Sequence, residues 1–170
     1  MGQLPSAFSL HDWIDEHRDL LKPPVGNCMV WKDSGIMVMV VGGPNQRKDF
    51  HINPTEEFFY QLEGDIALRV RENGEARDIP IKQGQVFMLP ANVPHSPQRP
   101  ANTVGLVIER ERPSGQHDHI RWYCDDCGEI LYDPSFQMED LGSQIKPVIE
   151  EFKSNSELRT CGKCGHVTEM

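Results

Sequence analysis

Two histidines and a glutamate stand at the spacing of a metal site in this 170-residue chain: His51, Glu57 six residues on, and His95 in a later segment. Two imidazoles and one carboxylate can take three vertices on one face of an octahedron. Three positions stay open, the arrangement that non-haem Fe(II) uses to bring an organic substrate and O₂ together. A second set of donors follows in Cys124, Cys127, Cys161 and Cys164, two C-x-x-C pairs each trailed by a glycine. Four thiolates can close a tetrahedral site that accepts zinc or a single iron, and ligand identity does not separate the two. Gly128 and Gly165 suit tight turns whose backbone amides point at sulfur. With four thiolates in place, His117, His119 and His166 read as polar surface residues, and Cys28 reads as a small buried hydrophobe.

These ligands need elements to hold them. Residues 9–21 carry Leu10, Trp13, Ile14, His17, Leu20 and Leu21 near the helical period, with Ser9 able to cap and Lys22-Pro23-Pro24 to stop the helix. From there to Arg112 the pattern predicts short strands at 27–32, 36–41, 57–63, 65–71, 76–81, 85–89 and 103–109. Turns fall at Asp33-Ser34-Gly35, Glu63-Gly64 and Asn73-Gly74. Short strands without intervening helices make an antiparallel sandwich or barrel. Pro113-Ser114-Gly115-Gln116 resembles a linker. The expected organisation is therefore a barrel with the catalytic metal over 1–112 and a cysteine-rich tail over 113–170, with a short helix at 146–153 starting around Pro147.

Composition narrows the partners. A net charge of −9 argues against broad binding to nucleic acid or anionic membranes, so an anionic ligand would be drawn by local arginines and the metal. No apolar run approaches the roughly 18 residues that a membrane span needs, and the N-terminus lacks a basic-then-apolar signal. Five cysteines, four of them in metal-type pairs, point to a reducing compartment. The expected location is the cytoplasm.

The punctuation around the three ligands resembles the cupin superfamily, a small antiparallel β-barrel or jelly roll. Its first motif is a glycine, a His-x-His pair, a glutamate and a closing glycine, matched here by Gly43, His51, Glu57 and Gly64. Its second motif is matched by Gly84, Pro90 and His95. Two departures stand out: Asn53 occupies the place of the second histidine of the pair, and Asn92 a place where glycine is common. Losing one histidine leaves the two-histidine, one-carboxylate set, which suits Fe(II) and oxygen chemistry.

Longer stretches are more specific. The segment from Phe50 to Gln61, the segment from Pro90 to Pro100, and Val107-Ile108-Glu109-Arg110 are similar to the 3-hydroxyanthranilate 3,4-dioxygenase family. The likeness extends over most of the chain, including the cysteine-rich tail of the bacterial and fungal forms. It implies ring opening of 3-hydroxyanthranilate by O₂, giving 2-amino-3-carboxymuconate semialdehyde, which closes to quinolinate, a precursor of NAD. It also implies a homodimer and Fe(II) at His51, Glu57 and His95, and it favours rubredoxin-like iron over zinc at the four cysteines. Arg99, Glu109 and Glu57 would then contact substrate, and Arg47 would lie on the oxygen side of the pocket. A substrate carboxylate calls for a planar, bidentate donor such as arginine, and Arg99 lies four residues past His95. Ring cleavage of this kind needs no external electrons, so the tail is expected to serve integrity or dimer contacts. The competing readings are a cupin enzyme of another substrate, or a non-catalytic sensor whose tail is a zinc ribbon. Against the sensor stands the absence of a basic, aromatic-interleaved stripe.

Overall fold

The computed structural model describes residues 6–23, 26–31, 35–45, 47–138 and 141–169. Helix α1 (Leu10–His17) begins where the Ser9 hydroxyl accepts the Asp12 amide at 3.2 Å. A 3₁₀ turn, Arg18–Leu21, completes the stretch expected as one helix. Its apolar face buries Ile14 and Leu21 against Val40 and Val104, with Cys28 half-buried in the same cluster, while Leu20 faces out.

Seven strands lie within one residue of their expected ends among the described residues: β1 (Asn27–Trp31), β2 (Ile36–Gly42), β4 (Glu57–Glu63), β5 (Ile66–Glu72), β6 (Glu75–Ile81), β7 (Val86–Leu89) and β9 (Val104–Arg110). The structure adds β3 (Phe50–Ile52), β8 (His95–Gln98), β10 (Asp118–Tyr123), β11 (Ile130–Tyr132) and β12 (Ser135–Phe136). Asp33 and Ser34 of the first expected turn lie outside the described residues. Asn73-Gly74 closes a two-residue hairpin between β5 and β6, with both residues at positive φ as that turn requires.

The strands form two antiparallel sheets. One runs β1-β2-β9-β4-β7, the other β11-β10-β3-β8-β5-β6, with β12 also on β10. Met39, Phe59, Leu89 and Val107 from the first meet Ile66, Leu68, Val70 and Ile81 from the second in the central core. Alternation on β4 sends Glu57, Phe59 and Gln61 to the buried face. Opposite them on β9 stand Glu109, Val107 and Gly105.

Beyond residue 112 the chain crosses from the first sheet to the second. After an exposed stretch at 113–117, β10 pairs with β3 and sets Ile120 against His51. The cysteine-rich segment starts at the next residue after β10. Helix α2 spans Leu141–Ser154, so it begins five residues before the expected 146–153 and carries Pro147 in its interior. A proline there costs about 3 kcal/mol. Packing offsets it: Ile145 and Phe152 join Ile120 and Trp122 in a separate core, and Phe152 stacks on Trp122 with centroids 4.4 Å apart. A short helix α3 (Ser156–Arg159), capped by Asn155, leads to the second cysteine pair.

Candidate active site

β3 and β8 bring the two histidines together as direct cross-strand partners, His51 opposite His95. Glu57 opens β4 from the facing sheet. All three are buried, and their donor atoms lie within 4.8 Å of one another. Glu57 Oε1 is 3.2 Å from His95 Nε2 and 3.6 Å from His51 Nδ1. Two donors bound at right angles about 2.1 Å from one ion stand about 3.0 Å apart, so the trio fits a single divalent metal.

Hydrogen bonds behind the trio select which atoms face inward. His95 Nδ1 lies 3.0 Å from the Val93 carbonyl, which leaves Nε2 toward Glu57. His51 does the reverse, with Nε2 on Asp118 Oδ2 at 2.6 Å and Nδ1 toward the site. Such outer partners fix the tautomer and aim of a ligating imidazole. Burial lowers the His51 pKa against the pull of Asp118 and Glu57. Burial alone would raise the Glu57 carboxyl, but the two histidines and Asn53 outweigh it and hold it down to about 2.

The two departures from cupin spacing now have physical reasons. Asn53 is not a fourth ligand. Its Nδ2 donates to Glu57 Oε1 at 3.0 Å and to Glu109 Oε2 at 3.2 Å, while its oxygen takes both the amide and hydroxyl of Thr55. Asn92 has φ +62°, and asparagine is one of the few side chains that tolerates that left-handed position.

The other expected residues fall in two places. Glu109 joins the ligand cluster, where burial and then the Glu57 charge push its carboxyl up to about 8 despite Arg112. Arg99 enters at the far end of the same inward row. Its side chain is buried and donates to Gln61 Oε1 at 3.3 Å, and no acidic partner for it exists among the described residues. It lies over Gly105, where a Cβ would come within 2.9 Å of Nη1. Arg47 is bound to Asp49 and lines a cavity of about 510 Å³ with Phe50, Arg71 and Tyr123. A bridge between Asn45 and Arg99 ties its loop to the Arg99 strand.

Sequence reasoning missed Arg112, Asp118 and the bonding role of Asn53. Arg112 and Asp118 are charged groups flanking an apparent linker, and only their burial marks them.

At the other centre, Cys124 and Cys164 Sγ atoms are 3.6 Å apart, as are those of Cys127 and Cys161. All four sulfurs lie within 4.8 Å of one another, close to the roughly 3.8 Å edge of a tetrahedron with 2.3 Å metal–sulfur bonds. The two knuckles repeat one pattern: Gly128 and Gly165 amides return to the Cys124 and Cys161 carbonyls, both glycines at positive φ. The Cys164 and Lys163 amides point at Cys161 and hold its thiol down to about 7. His117 and His166 are exposed, and His119 is half-buried against Asp133.

A two-sheet antiparallel barrel with a buried His-Glu-His cluster inside is the architecture of a cupin with a candidate metal site. The chain belongs to the 3-hydroxyanthranilic acid dioxygenase family, whose pattern it matches over residues 4–153. It is 50% identical to 3-hydroxyanthranilate 3,4-dioxygenase of Ruegeria pomeroyi over 163 residues, covering 95% of this chain and 91% of the relative. The enzyme of the same name from Bacillus thuringiensis is 46% identical over 168 residues, covering 98% and 94%. Among solved structures, a cupin-2 domain containing protein from Shewanella frigidimarina aligns with TM-score 0.48 and 16% identity over 57% of this chain and 91% of its own.

Proposed function

We propose that the protein is an Fe(II)-dependent dioxygenase that opens the ring of 3-hydroxyanthranilate, inserting both atoms of O₂ to give 2-amino-3-carboxymuconate semialdehyde, the precursor of quinolinate and NAD. The observation that carries this reading is the pairing of a buried His51–Glu57–His95 cluster with Arg99, a buried cation that lacks an acidic partner among the described residues. Held by His51, Glu57 and His95, Fe(II) would supply a net positive centre able to bind the ring hydroxyl and amine together with O₂.

The chain's own groups do the rest. His51 and His95 present Nδ1 and Nε2 respectively, held by Asp118 and Val93. Arg99 grips the substrate carboxylate with its planar fork. Glu109, beside Glu57 across the β4–β9 ladder, meets the amine and hydroxyl of the substrate. Glu57 contacts substrate while ligating. Arg47 stays on the oxygen side of the pocket, where Asp49 and Glu57 sustain its charge against the cost of burial. Burial of all three ligands keeps bulk water from the open positions.

The four-cysteine site is read as iron, in a structural or dimer-supporting role, and the protein as a cytoplasmic homodimer. No described helix is long and apolar enough to cross a membrane. We keep the two-part organisation, 1–112 with the catalytic metal and 113–170 with the tail, while assigning β10 to both, because it pairs with β3 and leads directly into Cys124.

The test is anaerobic reconstitution with Fe(II), followed by 3-hydroxyanthranilate and ¹⁸O₂. The expected outcome is a ring-opened chromophore with labelled oxygen in its new carboxylate; the aldehyde oxygen exchanges with water and leaves on closure to quinolinate, so one retained label is enough. A product with no label, or no turnover by protein that holds iron at the barrel site, rejects the assignment.

A further inference from the structure

One buried arginine joins the two halves of the site. Arg112 has a side chain only 1% exposed, and its guanidinium meets two carboxylates. Nη1 lies 2.6 Å from Glu109 Oε2. Nε and Nη2 take Asp118 Oδ1 and Oδ2 at 2.9 and 2.7 Å, a bidentate pairing. Nη1 also donates to the Arg110 carbonyl at 3.1 Å. Asp118 in turn holds His51 Nε2, and Glu109 shares the Asn53 amide with Glu57. The contacts trace a loop: His51, Asp118, Arg112, Glu109, Asn53, Glu57. The loop closes across the 3.6 Å gap between His51 Nδ1 and Glu57, where a metal would sit.

Burying an ion cluster of this kind brings little net stability, because desolvation offsets most of the attraction. What it supplies is position. A planar fork with donors fixed in one plane holds two carboxylates at one spacing, which a flexible ammonium cannot do.

We propose that Arg112 is a positioning residue that orients His51 through Asp118 and the substrate-facing Glu109 directly, so metal affinity and substrate affinity depend on one guanidinium. The proposal rests on reading His51, Glu57 and His95 as the catalytic metal site. It differs from that reading in assigning no contact between Arg112 and metal or substrate.

The experiment uses full-length protein with its tail filled with zinc and Mn(II) as the probe of the barrel. Mn(II) favours carboxylate and imidazole over thiolate, so its electron paramagnetic resonance titration counts the barrel site alone. Asp118→Asn and Arg112→Lys are near in volume to the native residues. Each is expected to weaken Mn(II) about 10–100-fold, the range for losing an outer-shell partner. In the iron-loaded enzyme, Arg112→Lys also raises KM for 3-hydroxyanthranilate, whereas Asp118→Asn leaves KM within about twofold. The double variant is expected to bind Mn(II) no more weakly than Asp118→Asn alone, because Arg112 acts through Asp118. Multiplicative losses in the double variant, or native Mn(II) affinity and KM in Arg112→Lys, overturn the proposal while leaving the metal site intact. Native Mn(II) binding by His51→Ala overturns the metal site itself and the proposal with it.

Discussion

Replacing Arg99 by methionine separates substrate recognition from stability. Burial holds the guanidinium down to about 10 from its usual 12.5. At about 1.4 kcal/mol per tenfold, that places the buried cation about 3 kcal/mol above its energy in water. A substrate carboxylate seated against the fork cancels this cost, so its loss is worth on the order of 100-fold in kcat/KM for 3-hydroxyanthranilate. 2-Aminophenol keeps the hydroxyl and amine but has no carboxylate, and its kcat/KM should fall by less than about threefold. The same substitution removes an uncompensated buried charge and fills its space with an apolar chain. Substrate-free Arg99→Met should therefore melt no lower than the parent and up to several degrees higher, at about 2–4 °C per kcal/mol. Arg99→Lys should rescue poorly, since a point charge does not reproduce the fork. Steady-state kinetics with both substrates, iron content and a thermal melt decide the matter. Equal losses for the two substrates, or a large drop in melting temperature, would refute the carboxylate clamp and make Arg99 a structural support.

Three further outcomes are expected. His51→Ala, Glu57→Ala and His95→Ala each lose one metal equivalent and all turnover while the tail metal remains, as metal analysis per chain will register; full barrel iron with normal activity in any of them contradicts the ligand set. Cys124→Ser or Cys161→Ser loses the tail metal and on the order of 10 °C in melting temperature, because binding and folding are coupled there, while remaining soluble protein still cleaves substrate; an iron-replete barrel without activity would instead give the tail a redox part. Gly105→Ala sets a Cβ 2.8 Å from Gln61 Oε1 and 2.9 Å from Arg99 Nη1, so both flexible ends must move. It should raise KM for 3-hydroxyanthranilate roughly tenfold with little loss of stability, and an unchanged KM means that Arg99 does not meet the substrate from its present position.

The two donor sets that the structure gathers were legible because metal chemistry restricts residue types and spacing more tightly than packing does. The long strands were legible for a different reason: Glu57–Glu63 alternates buried and half-buried along its first five residues, a period-2 signal carried by local sequence. β3 and β8 gave no such signal. They are three and four residues long, bordered or interrupted by Pro54, Pro94 and Pro97, and are held by distant partners, β3 by three pairs with β10 and β8 by four pairs with β5. Pro147 shortens the helix expected from sequence, a local rule that stacking of Phe152 on Trp122, 30 residues away, overrides. Arg112 and Asp118 look like solvated charges in the sequence; their burial depends on β10 joining the second sheet after the linker-like stretch. Arg47, Arg99 and Glu109 came from family likeness rather than from spacing.

The placement of β3 has a consequence for how the pocket comes into being. On one side it is held by three residue pairs with β10; on the other it meets β8 through the single pair of histidines. A fragment ending at Arg112 would retain His51, Glu57 and His95 and yet leave the strand bearing His51 as a nearly free edge, open to pairing with other chains. During synthesis the same condition holds until residues 118–123 emerge. The edge that carries His51 is thus covered only once residues well beyond the last of the three donors, His95, have joined the sheet. The smallest catalytic unit is longer than its ligands require.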